Sequence, residues 1–335
     1  RSPLFQGYLR FTKAQYNHLG YLAGYGDANA IGHYSSHPFL KQAIELFDDN
    51  EAKYLLQLID RNNNGKGIET KIDLPSPGAD THGLSYFLLN EFKQEQYKIK
   101  DLFRTPLFDK AIFRSGWDGH ADFLTVTGIN GDGRNHGHFD ANGISQYIVG
   151  DRLWLWEGDY IKKFPDDHNS MIVNRNGKNF DFRRNFKVRN KAAASQVKVA
   201  LESGSKAQSL LSLLLEQYNG VNWTRNINYL AKKGLWIIDE VDVLIPGSYG
   251  IELYWRSVGN MQLKDQSVQF TQKASNDGVP YNFFIVEGSG ATRFAKTFFE
   301  GGHGRRDGNL TGYKKNYDLN TRQIVQRRQG NYQKG

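Results

Sequence analysis

After Arg104-Thr105-Pro106 the chain breaks into short runs rich in aromatic and β-branched residues, separated by clusters of Gly, Asn and Asp. That pattern constrains the fold more than any other feature. Phe123 to Thr127, Ile144 to Val149, Met171 to Val173, Leu235 to Val243 and Gly250 to Tyr254 read as strands, because branched and aromatic side chains suit a pleated, half-buried surface. Asn130-Gly131-Asp132-Gly133 and Pro246-Gly247-Ser248 supply turns. Regular strands broken by turns predict an antiparallel β-sandwich over 106–335. Ser205 to Gln217 fits helix or strand by periodicity alone.

The first hundred residues have a different period. After His37-Pro38, apolar residues fall at Phe39, Leu40, Ala43, Ile44 and Phe47, one face of a helix. From Glu51 onward Tyr54, Leu55, Leu58 and Ile59 share a side, and Arg61-Asn62-Asn63-Asn64-Gly65 ends the run. Asp80 to Tyr97 is a third helical expectation. The predicted class is therefore α+β, a helical block over 1–105 followed by a large β-sandwich. The polar, basic tail after Gly301 is expected to be loosely ordered.

Composition excludes several chemistries. The chain has no cysteine, so disulfides, thiolate zinc sites and cysteine nucleophiles are out. No apolar run approaches the roughly 20 residues that span a bilayer as a helix. The formal charge of +8 suits an anionic partner. Basic residues are scattered without a nucleic-acid motif, so no nucleic-acid partner is expected. Arg305-Arg306 and Lys314-Lys315 read as solvated surface rather than substrate clamps. The chain begins at Arg1-Ser2 with no signal-like segment, and residue 1 is expected to be a processing boundary.

One constellation carries chemistry. In Asn135-His136-Gly137-His138-Phe139-Asp140 the two histidines and the aspartate alternate, so on a strand all three heads face one side. A third histidine follows in Asp166-Asp167-His168-Asn169-Ser170, and between them Glu157 and Asp159 sit at a strand end. Two neutral imidazoles and a carboxylate are a zinc ligand set. The same spacing also occurs in ordinary exposed strands. Arg114, Arg225 and Asp239 read as buried or paired fold residues.

These motifs, in this order, resemble the heparinase II/III polysaccharide lyases. Phe113 to Trp117, Asn135 to Gly143, Gly158-x-Tyr160, His168-Asn169-Ser170, Asn222 to Arg225 and Leu235 to Val241 carry the resemblance, and Gly26-Asp27 matches a pair in that family's last toroid helices. The resemblance implies the end of an α/α toroid followed by the family's sandwich. It implies His136 as the catalytic residue, His138 and His168 as ligands of a structural zinc, and an acidic, uronate-containing polysaccharide as substrate. Arg134 and Asn135, beside the motif, are the substrate-binding candidates. The family's metal aspartate position holds Trp156 here; Glu157 is taken as the ligand, with Asp159 the alternative. The family's catalytic tyrosine lies upstream and has no match in this chain. The family implies β-elimination and a periplasmic or secreted location. A non-catalytic carbohydrate-binding sandwich and a zinc hydrolase are the competing readings.

Overall fold

A computed structural model describes residues 3–23, 37–63, 83–89, 107–128, 140–157, 164–178, 197–205, 207–264, 267–272, 281–286, 292–300 and 319–334. Three α-helices come first among these: α1 (Pro3–Gln15), α2 (His37–Phe47) and α3 (Asn50–Asn63). Sixteen strands follow in the described residues, and their registered pairings are antiparallel.

The main sheet runs β1 (Gly83–Leu89), β2 (Leu107–Arg114), β3 (Asp122–Thr127), β4 (Ile144–Val149), β5 (Arg152–Trp156), β11 (Gly247–Val258), β16 (Leu319–Tyr332) and β15 (Thr292–Glu300), with β6 (Met171–Arg175) also paired to β11. A second sheet has the order β10 (Gly234–Val243), β9 (Val221–Leu230), β8 (Gln208–Tyr218) and β7 (Val197–Gly204). A small third sheet joins β12 (Asn260–Leu263), β13 (Ser267–Gln272) and β14 (Tyr281–Val286).

The core lies between the first two sheets. Phe108, Ala111 and Phe113 of β2 and Leu124 and Val126 of β3 meet Leu211, Leu213 and Leu215 of β8 and Val221, Trp223, Ile227 and Tyr229 of β9. Each fully buried leucine contributes about 1.5–3 kcal/mol relative to exposure. Within the segment read as helix or strand, Gln208–Tyr218 is a strand, and Leu211, Leu213 and Leu215 point inward, as a period of two requires. Arg225 lies in the same inward row of β9 and is fully buried.

The helices cover the other face of the main sheet. Ala14, Leu19, Tyr21 and Ala23 pack on Ile112, Phe123, Ile148, Leu153, Trp156 and Val258. A helical core of Leu9, Leu40, Ala43, Leu55, Leu58 and Ile59 takes in Trp117 from the β2–β3 turn. Two polar contacts fix this layer. Arg114 donates to the carbonyls of Ala14 and Tyr16, with its guanidinium 3.9 Å from the Trp117 ring centroid. His18 donates from Nε2 to the Gly150 carbonyl at 2.6 Å.

Burial lowers the His18 pKa from 6.5 to about 4, partly offset by the bond to Gly150. Above pH 6.5 both folded and unfolded chains hold it neutral. Below 6.5 the unfolded chain takes up a proton that the folded one refuses until about pH 4. Stability therefore falls as pH drops across that window, by about 3 kcal/mol in total. Urea unfolding between pH 4 and 7 checks this: His18→Gln should show a flatter pH dependence than the wild type, and equal slopes would refute the assignment.

Two expectations are corrected. The sequence pattern predicts helix over Asp80 to Tyr97, yet Gly83–Leu89 is a strand paired with β2. The sandwich sheet thus reaches into the segment assigned to helices. A short apolar run takes its state from its partner, and that partner is a strand here. The tail after Gly301 was expected to be loose, yet Leu319–Tyr332 is a fourteen-residue strand between β11 and β15. Its Arg- and Gln-rich sequence hides a buried pair, Ile324 and Val325, and cross-strand partners outweigh local propensity. The basic pairs Arg305-Arg306 and Lys314-Lys315 and the pair Gly26-Asp27 lie outside the described residues. No helix among the described residues is long and apolar enough to cross a membrane.

Candidate metal centre

Asp140, just before β4, Glu157, just after β5, and His168, just before β6, converge, with one ligand atom from each within 4.8 Å of the others. Their relative exposures are 2%, 4% and 0%. Nδ1 of His168 lies 3.3 Å from Oε2 of Glu157.

Each donor sits on an anchored piece of backbone. Asp140 opens a tight turn into β4: Gly143 N–H donates to the Asp140 carbonyl at 2.8 Å, and Asn142 N–H donates to Thr127 at 2.8 Å. Asn142 takes the left-handed φ of 62°, which asparagine tolerates. A Cβ at Gly143 would meet the Asp140 carbonyl oxygen at 2.6 Å, so the turn needs glycine there. Glu157 follows β5 directly, its N–H donating to Ser145 of β4 at 2.9 Å. His168 ends a 3-10 turn, Pro165–Asp167, whose Asp166 carbonyl accepts from Gln323 of β16.

The residue after His168 ties two strands together. The Asn169 side chain donates to the Ile144 carbonyl at 2.9 Å and accepts from the Arg256 N–H at 2.6 Å. The next carbonyl, of Ser170, accepts from Tyr254 N–H at 2.9 Å. His168 is therefore held between β4 and β11, with little backbone freedom.

Electrostatics favours a cation here. Burial pushes the Asp140 carboxyl well above the ordinary range; adjacent Glu157 adds to this, while His168 opposes it. Burial lowers the His168 pKa, opposed by Asp140 and Asp167. The His168–Glu157 contact counts as an ion pair only if the imidazole is charged; full burial argues for the neutral ring. A neutral imidazole beside two crowded carboxyls is a donor set that a divalent cation would relieve. Oδ2 of Asp140 is buried with no hydrogen-bond partner among the described residues, which fits the same role.

The expected ligands Glu157 and His168 are thus brought together. Trp156, at the family's aspartate position, packs instead into the apolar layer under the helices. Asp140 joins as a carboxylate that the expected ligand set left out, although its alternation with His136 and His138 already pointed to it. Asp140 lies in a turn, not on a strand. His136, His138, Arg134, Asn135 and Asp159 lie outside the described residues. Arg114, Arg225 and Asp239 are buried or paired, as expected of fold residues.

No family model matches the chain, and no curated protein does. Solved structures do. A heparinase III crystal structure aligns over 98% of this chain and 48% of its own length, at TM-score 0.59 and 13% identity. A second heparinase III structure aligns over 96% and 46%, at TM-score 0.55 and 15% identity. The heparan sulfate lyase HepC from Pedobacter heparinus aligns over 97% and 46%, at TM-score 0.55 and 13% identity. This chain therefore spans about half the length of these structures, and over that span it has the fold of the heparinase III-type lyases.

Proposed function

We propose that the chain forms part of a periplasmic or secreted lyase that cleaves an acidic, uronate-containing polysaccharide by β-elimination. The observation that carries this reading is the buried Asp140–Glu157–His168 cluster within a sandwich that has the fold of heparan sulfate lyases. The net charge of +8 agrees with an anionic polymer.

In the proposed reaction a base removes the proton at C5 of the uronate, the C4–O bond to the 4-linked sugar breaks to leave a C4–C5 double bond, and the departing oxygen takes up a proton to become a hydroxyl. That proton is weakly acidic beside a carboxylate anion, so the carboxylate must be neutralised as charge spreads into it. His136 is proposed to exchange the proton, since an imidazole titrates near neutrality. Arg134 and Asn135 are proposed to hold the sugar's acidic groups. The cluster's role is to fix the segment that ends at Asp140. With His138 as a fourth donor, Asp140, Glu157 and His168 would hold a structural zinc, a cation that would lock the two loops and β5 together. All three described donors are deeply buried, which favours a structural ion over a zinc hydrolase, whose metal keeps a position open to water.

The test follows ultraviolet absorbance of the conjugated product as glycuronans are supplied to the complete gene product. His136→Ala should cut the rate by about 10²–10⁴-fold while retaining polymer binding. Binding with no turnover by the wild type would favour a carbohydrate-binding sandwich. A saturated product, seen by mass spectrometry, would favour a hydrolase.

A further inference from the structure

Arg225 projects from β9 into the apolar interior, between Trp223 and Ile227 in the inward row. Its side chain is fully buried. Nε donates to Oδ1 of Asp239 at 2.7 Å and Nη2 to Oδ2 at 3.1 Å. Asp239 lies directly across the β9–β10 ladder and also accepts from Nε1 of Trp223 at 2.8 Å. The Trp223 and Trp255 rings lie 4.8 and 5.3 Å from the guanidinium. Orientation and depth are thus both fixed.

The remaining nitrogen reaches out of the second sheet. Nη1 donates to the carbonyl of Asn142 at 2.9 Å and to the carbonyl of Asn169 at 3.0 Å. Asn142 stands two residues after Asp140, and Asn169 one residue after His168. The same Asn169 oxygen accepts from Ile144 N–H at 3.2 Å. One nitrogen therefore joins the two loops that carry an acid and an imidazole donor of the cluster. A planar guanidinium can serve a carboxylate on one edge and two carbonyls on another; an ammonium cannot.

We infer that Arg225 is the positioning residue of this site: rooted on Asp239, it sets the spacing of the Asp140 and His168 loops, and with it the affinity for a divalent cation. The inference rests on the cation reading of the Asp140–Glu157–His168 cluster. It adds a long-range link, in which the second sheet controls a site built on the first. Arg225 touches none of the three donors through its side-chain bonds; it acts through backbone carbonyls.

The experiment is zinc titration of the full chain against a chromophoric chelator, with thermal unfolding measured in parallel on the metal-free protein. Arg225→Lys keeps the charge but cannot bridge both carbonyls and Asp239. Asp239→Asn keeps an acceptor for Nε but loses the two-point charged root. Both should weaken zinc binding roughly ten- to hundred-fold, as loss of outer support typically does. Val268→Ala, a buried core truncation in the third sheet, should lower the melting temperature without moving zinc affinity. If Arg225→Lys shows no cooperative unfolding, Asp239→Asn carries the comparison. Wild-type affinity in a folded clamp variant overturns the inference, as does an equal loss in Val268→Ala. A wild type that takes up no zinc overturns the cation reading and this inference with it, an outcome distinct from the other two.

Discussion

Asp239→Ala is expected to lower the free energy of unfolding by about 3–5 kcal/mol. The reason is the partner left behind. Arg225 is fully buried and Asp239 nearly so, and the carboxylate takes two of the guanidinium's donors as well as the Trp223 indole N–H. Removing it strands a cation between two tryptophans, where desolvation is not repaid. The paired state itself need not stabilise much, because burying both charges costs about what their attraction returns. The double variant Arg225→Met, Asp239→Leu should therefore recover part of the single variant's loss, the remainder being the Trp223 N–H and the Asn142 carbonyl left without partners. Urea unfolding of the metal-free protein measures both. The midpoint should shift with an unchanged slope. A single-variant loss under about 1 kcal/mol, the range of exposed pairs, would mean that the pair is solvent-screened.

That pair also shows what was legible in the sequence. Arg225 and Asp239 read as fold residues because opposite charges within strands are more readily explained as a buried pair than as catalytic groups. Their partners were not legible. Asn142 and Asn169 lie 83 and 56 residues from Arg225, and nothing local announces a bond to a backbone carbonyl. Helices α2 and α3 were legible because their apolar faces repeat at helical spacing, and the structure buries those faces: Leu40, Ala43, Leu55 and Leu58. Gly83–Leu89 and Leu319–Tyr332 were misread because each takes its state from a strand elsewhere, β2 in one case and β11 with β15 in the other. At the site, Glu157 and His168 were found through motif order rather than through physics. Asp140 was in view through alternation, but alternation assumes a strand, and the residue sits in a turn whose hydrogen bonds only the fold supplies.

Glu157→Gln should have opposite effects with and without metal. In the metal-free protein Glu157 and Asp140 are two buried carboxyls in contact, and Glu157 raises the cost of ionising Asp140. An amide removes one charge and can still hydrogen-bond, so the metal-free variant should match or exceed wild-type stability, by about 1 kcal/mol. With a divalent cation the sign reverses. Two carboxylates against one positive centre turn repulsion into attraction, and an amide oxygen is a weaker donor. Ligand binding to the folded state alone stabilises by RT ln(1 + [L]/Kd), about 2.7 kcal/mol at a hundredfold excess over Kd. Losing a direct ligand should raise Kd by more than about 100-fold, beyond the usual effect of losing an outer-shell partner, and so remove most of that increment. Thermal unfolding with chelator and then with saturating zinc checks both signs. Wild type should gain stability on zinc addition while Glu157→Gln stays nearly flat. A variant less stable than wild type by the same amount in both conditions would assign Glu157 to packing alone. The crossing of the two curves is what a shared cation requires and what a purely structural carboxyl pair does not produce.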